Sequence, residues 1–76
     1  MLVSIEEIRV LKHAKPFRPF DIFTKTGQTF HVELPIRIAL SPTGRSVSGF
    51  DPEGFFFLPL NEIASLRLRR VKKKAR

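Results

Sequence analysis

"FDIFTKTGQTFHVEL", residues 20–34, decides the fold class of this chain. Upstream of it apolar residues recur every three positions. From Phe20 they alternate with polar ones, so the period falls from that of a helix to that of a strand. "FDIFTK" and "QTFHVEL" flank Thr26-Gly27, where glycine takes positive φ without a Cβ penalty, and the two runs read as a β-hairpin. On its second strand Phe30, Val32 and Leu34 share one face, and Thr29, His31 and Glu33 share the other.

Working outward, Pro35 interrupts the ladder, after which Ile36, Ile38 and Leu40 alternate again in "IRIALS". "SPTG" and "DPEG" place proline and glycine where tight turns need them and bracket a strand "RSVSGF". "FFFLPL" follows, then "NEI" as a short turn before "ASLRLR", with the last strand expected over Leu66 to Arg69. Toward the N-terminus, Ser4 and Glu7 have the S-x-x-E spacing of a capping box, with Val3 and Ile8 as its hydrophobic staple. Ile5, Ile8, Leu11 and Ala14 form one apolar stripe, and Pro16 and Pro19 end the helix. The expected fold is mainly β with one N-terminal α-helix, its five or six short strands closing as a small barrel or a strongly bent antiparallel sheet that hides its edges.

Charge divides the chain unevenly. Lys and Arg number 14 against 7 Asp and Glu, and seven of those cations are Arg67, Arg69, Arg70, Lys72, Lys73, Lys74 and Arg76. Residues 1–66 therefore balance, and the formal +7 belongs to the last ten residues. A neutral body with a concentrated cationic arm suggests a tether for a polyanion. We expect one domain over residues 1–69 and a disordered basic tail over 70–76, where like charges repel and little can be buried.

With no cysteine there is neither a disulfide nor a thiolate metal site, which fits a reducing compartment. No stretch approaches the roughly 18 apolar residues of a membrane span. "MLVSIEE" turns acidic too early for a signal peptide, so a cytoplasmic location is expected. No catalytic constellation can be assembled. His13 and His31 are the only imidazoles, the serines lack activating spacing, and no closely spaced ligand pair points to a metal. His13 reads as a helix-end residue and His31 as an ordinary strand surface residue; no cofactor is implied.

All eight aromatics are Phe. In a strand Phe55, Phe56 and Phe57 cannot all face inward, so either Phe56 or its two neighbours are left outside. An outward Phe serves either as a stacking platform for a base or, the reading we favour, as an intersubunit contact or a patch under the helix. No Lys or Arg lies between Arg45 and Arg67 to support stacking there. "FFFLPL" carries no charge to discourage edge pairing, so a homo-oligomer is expected.

The run "HAKPFRPFDIFTKTGQTFHVELP", with "IALSPTGRSVSGFD" and "EIASL", resembles a group of short uncharacterised bacterial proteins with the pattern P-F-x-P-F-x-I, a turn glycine, F-x-V, S-P-x-G-R and I-x-x-L. That resemblance implies no activity. A capped helix followed by a meander with a short turn before the last strand is also similar in order to the Sm-like fold, Hfq-like proteins included, which implies an SH3/Sm-like barrel. Where Hfq-like proteins carry Y-K-H, this chain has Pro59, Leu60 and Asn61, and the Arg-Gly signature of eukaryotic Sm proteins is missing, since Arg45 follows Gly44. Their uridine site therefore does not carry over residue by residue. Two functions follow as expectations. One is a homo-oligomeric Sm-like protein binding RNA or DNA, RNA favoured, through sequence-blind phosphate contacts of the basic tail. The other is a protein-interaction or assembly module whose tail only aids solubility. Membrane anchoring ranks lower, because a polybasic segment needs a second hydrophobic signal.

Overall fold

The computed structural model describes residues 3–69. Helix α1 spans Ile5–Lys12, followed by β1 (Phe20–Thr24), β2 (Thr29–Val32), β3 (Ile38–Leu40), β4 (Ser46–Asp51), β5 (Gly54–Pro59) and β6 (Ile63–Leu68). All pairings are antiparallel, in two three-stranded sheets ordered β2-β1-β6 and β3-β4-β5. The chain is thus mainly β with one helix. Among the described residues the ladders do not close into a barrel, since β5 and β6 each keep a free edge. The arrangement fits the bent-sheet alternative, with the chain crossing between sheets from β2 to β3.

Helix α1 starts where the capping box places it. Ser4 Oγ accepts from the Glu7 backbone N–H at 3.2 Å, and Glu7 Oε1 accepts from the Ser4 N–H at 3.1 Å. Eight residues are too few for a helix stable in water, so tertiary contacts hold it. Ile8 and Val3 are buried in the core, with Ile5 and Leu11 packed against it. At the other end Lys12 Nζ donates to the Pro35 and Ile38 carbonyls at 2.7 and 2.9 Å. That contact ties the helix to the crossing between the sheets.

The hairpin forms in the register its turn dictates, with Phe20 opposite Val32 and Ile22 opposite Phe30. Phe20, Ile22, Thr24 and Val32 point inward and are buried, so Asp21, Phe23 and His31 occupy the outer face. Buried Thr24 keeps its hydroxyl satisfied by accepting from the Gln28 N–H at 3.0 Å. Phe20 is fully buried in the core, and Phe17 lies half-buried with its ring centroid 6.0 Å away.

Two boundaries differ from the sequence expectation. The strand expected from Ile36 begins at Ile38, because Pro35–Arg37 forms a 3-10 turn that leaves Ile36 84% exposed. Pro35 has no N–H for a ladder and its fixed φ suits the first position of such a turn. The last strand runs Ile63–Leu68 rather than Leu66 to Arg69, since fully buried Ile63 already pairs with Thr24.

In the second sheet Val47, Gly49, Phe56 and Leu58 face the core. Gly49 lies so close to the preceding crossing that a Cβ there would sit 2.1 Å from the Arg37 carbonyl oxygen. The two sheets meet through Phe30 and Phe56, whose rings stack at 4.9 Å. Among the described residues no helix is long and apolar enough to cross a membrane.

Candidate nucleic-acid interface

Alternation along β6 separates its side chains. Leu66 and Leu68 turn toward α1, while Arg67 lies on the outer face of the first sheet, opposite Asp21 of β1; Ser65, paired with Phe23, also borders the groove beside α1. The Arg67 guanidinium carbon stands 5.9 Å from the centroid of the Phe23 ring, within cation–π range. Among the described residues Arg67 makes no ion pair.

Arg69, just past the strand, is committed differently. Its backbone N–H donates to the Pro19 carbonyl at 2.9 Å. Its guanidinium forks between Asp21 Oδ1 at 2.9 Å and Glu33 Oε2 at 3.1 Å. Asp21 Oδ1 also lies 2.7 Å from His31 Nδ1, so two strand positions, Asp21 and His31, share a single charged network with Glu33 just past β2 and Arg69 just past β6. Burial acts to raise the Asp21 carboxyl, yet the hydrogen bonds from His31 and Arg69, with their charges, outweigh it and hold the group below its ordinary value. The same bond to Asp21, opposed by burial and aided by Glu33, holds the Arg69 guanidinium above its ordinary value. Arg69 thus offsets one of the two carboxylate charges on this face.

Of the seven expected phosphate contacts, the structure therefore places Arg67 over an aromatic ring and Arg69 in an ion-pair network. Arg70, Lys72, Lys73, Lys74 and Arg76 lie outside the described residues. The three consecutive phenylalanines resolve into one alternative: Phe56 is 4% exposed, whereas Phe55 and Phe57 are 65% and 58% exposed. With Phe50, whose ring packs edge-on against Phe55 at 5.6 Å, they form an apolar outer face on the second sheet. Ser48 and Ala39 continue that face without adding charge. A second apolar feature is a groove of about 590 Å³ between α1 and β6, lined by Val3, Val10, Leu11, Leu66 and Leu68.

Sequence reasoning treated His31 as an ordinary strand residue and gave Asp21 and Phe23 no role. The Asp21–His31 pair was within reach, because counting outward from the Thr26-Gly27 turn sets them directly opposite each other. Arg69 was not, since the β1–β6 register shifts between Phe23 and Thr24. Among the described residues no group of His, Asp and Glu is arranged to hold a metal ion. No family model, curated protein or solved structure matches the chain.

Proposed function

We propose that this chain is a small homo-oligomeric, cytoplasmic nucleic-acid-binding protein, Sm-like in its order of elements, that holds single-stranded RNA or DNA, RNA favoured, by the phosphates. The observation carrying this reading is the segregation of charge: residues 1–66 are balanced and every unit of the formal +7 lies in residues 67–76. The anchoring of Arg69 to Asp21 and Glu33 supports it, because it fixes the point from which the remaining five cations continue. Phosphate contacts of this kind neutralise charge and release counterions, and they carry no base sequence. Self-association is supported by the free edges of β5 and β6 and by the uncharged Phe50, Phe55 and Phe57 face. Several tails in one assembly raise the effective affinity through multivalency.

The exposed phenylalanine face also favours a second reading, in which the protein is an assembly module and the tail is incidental. Truncating the chain after Arg69 separates the two. Under the nucleic-acid reading, binding of a labelled oligonucleotide collapses while light scattering still reports a particle heavier than a single truncated chain. Undiminished oligonucleotide binding by the truncated chain overturns that reading, and a monomeric intact chain overturns the self-association it includes.

A further inference from the structure

We infer that the outer face of the first sheet holds a nucleobase, stacked on Phe23 and covered by the Arg67 guanidinium. This inference rests on the phosphate-binding reading above and adds to it a base-contacting site that the basic segment alone does not supply.

The argument starts from the sheet register. Phe23 lies between Thr29 on β2 and Ser65 on β6. Both neighbours are short, so no bulky side chain stands beside the ring in its own cross-strand row, and both carry hydroxyls that can meet the polar edge of a base. In the adjacent row His31, Asp21 and Arg67 follow one another across β2, β1 and β6. Arg67 reaches diagonally over Phe23, the arrangement of an aromatic platform with a planar cation above it. A base entering between ring and guanidinium exchanges one cation–π contact for two stacking contacts. Asp21 and Glu33, the carboxylates on this face, share the Arg69 guanidinium, which offsets one of their two charges and so reduces the repulsion a strand of phosphates would meet.

Charge complementarity chooses the occupant. Arg67 is followed within the next nine residues by Arg69, Arg70, Lys72, Lys73, Lys74 and Arg76. A single strand held there by its phosphates has bases free to reach Phe23. The exposed Phe55 and Phe57 lack this setting, because no Lys or Arg occurs between Arg45 and Arg67 and the charged residues bordering Phe55, Asp51 and Glu53, are acidic.

The test compares a labelled oligoadenylate with an abasic oligomer of the same length and charge, read by fluorescence anisotropy on the full chain. The intact protein should hold the oligoadenylate roughly 5- to 150-fold more tightly, the span set by one stacked base. Phe23→Leu should bring the two ligands level without changing affinity for the abasic strand, and Phe57→Leu should leave the preference intact. Because the chain has no tryptophan, Phe23→Trp supplies a single emitter at the site. It should keep the preference and be quenched by the oligoadenylate alone. Equal affinity of the intact protein for both strands, or a preference that survives Phe23→Leu, overturns the stacking site while leaving the phosphate reading standing. Failure to bind either strand overturns both.

Discussion

The dependence of oligonucleotide affinity on salt is the sharpest quantitative consequence of the charge distribution. Seven cations lie in residues 67–76, but Arg69 is held by Asp21 and Glu33; seven less one leaves six for phosphate. At about 0.7 counterions released per contact on a single strand, log affinity should fall against log salt with a slope near −4.2, against about −4.9 if Arg69 also took part. Raising salt from roughly 50 to roughly 200 mM is a fourfold change, so affinity should drop about 300-fold. Truncation after Arg69 leaves Arg67 alone, and the same change should then cost only about threefold. Anisotropy titrations of one labelled strand at several salt concentrations, intact and truncated, measure both slopes. A slope for the intact chain shallower than about −2, or one that truncation does not alter, refutes the electrostatic mechanism.

Other consequences concern the scaffold. Gly49→Ala drives a Cβ into the Arg37 carbonyl; a backbone obstacle relaxes poorly, so urea denaturation should show a loss of about 3 kcal/mol, whereas a cost under about 1 kcal/mol would mean that β3 and the crossing before it yield easily. Phe56→Ala removes a buried ring stacked on Phe30 and should cost roughly 3–5 kcal/mol, while Phe57→Ala should barely change unfolding of dilute protein and should reduce the assembled mass. Asp21→Asn should destabilise by about 1–2 kcal/mol at neutral pH, discounted for partners that are partly exposed. Because the folded Asp21 carboxyl lies below its ordinary value, its contribution is full above about pH 4 and is lost as pH falls through the lowered value. Denaturation of the intact chain should therefore weaken in acid over a range where Asp21→Asn stays flat.

What could be read in advance followed local rules. The capping box, the Thr26-Gly27 hairpin and the turns at Ser41–Gly44 and Asp51–Gly54 are each specified within a few residues, and each appears where its residues call for it. The outward turn of Phe55 and Phe57 was one of two alternatives, and only the partner strand decides it: Gly49 opposite Phe56 and Val47 opposite Leu58 are the inward pair. Closure could not be read, because it depends on how far the Pro35–Arg37 turn rotates one sheet from the other. The outer-face network was also hidden. Its members come from residues 21, 31, 33 and 69, and the contact joining the first to the last depends on a register shift that has no local signature. Counting cations along the sequence gave Arg69 the same weight as its neighbours, whereas the fold gives it a different task from Arg67 two residues earlier.

The pairing of β1 with β6 also bears on how the chain is made. Strands β3, β4 and β5 are joined by short turns and can assemble from neighbouring segments, but Phe20 finds its partner Leu68 almost fifty residues later. Long-range closure of this kind is slow relative to hairpin formation. On a translating ribosome β1 must wait, with its apolar side uncovered, until nearly the whole domain has left the exit tunnel. Because the tunnel holds the residues most recently added, the cationic run that directly follows Leu68 has already been made when this strand emerges to dock.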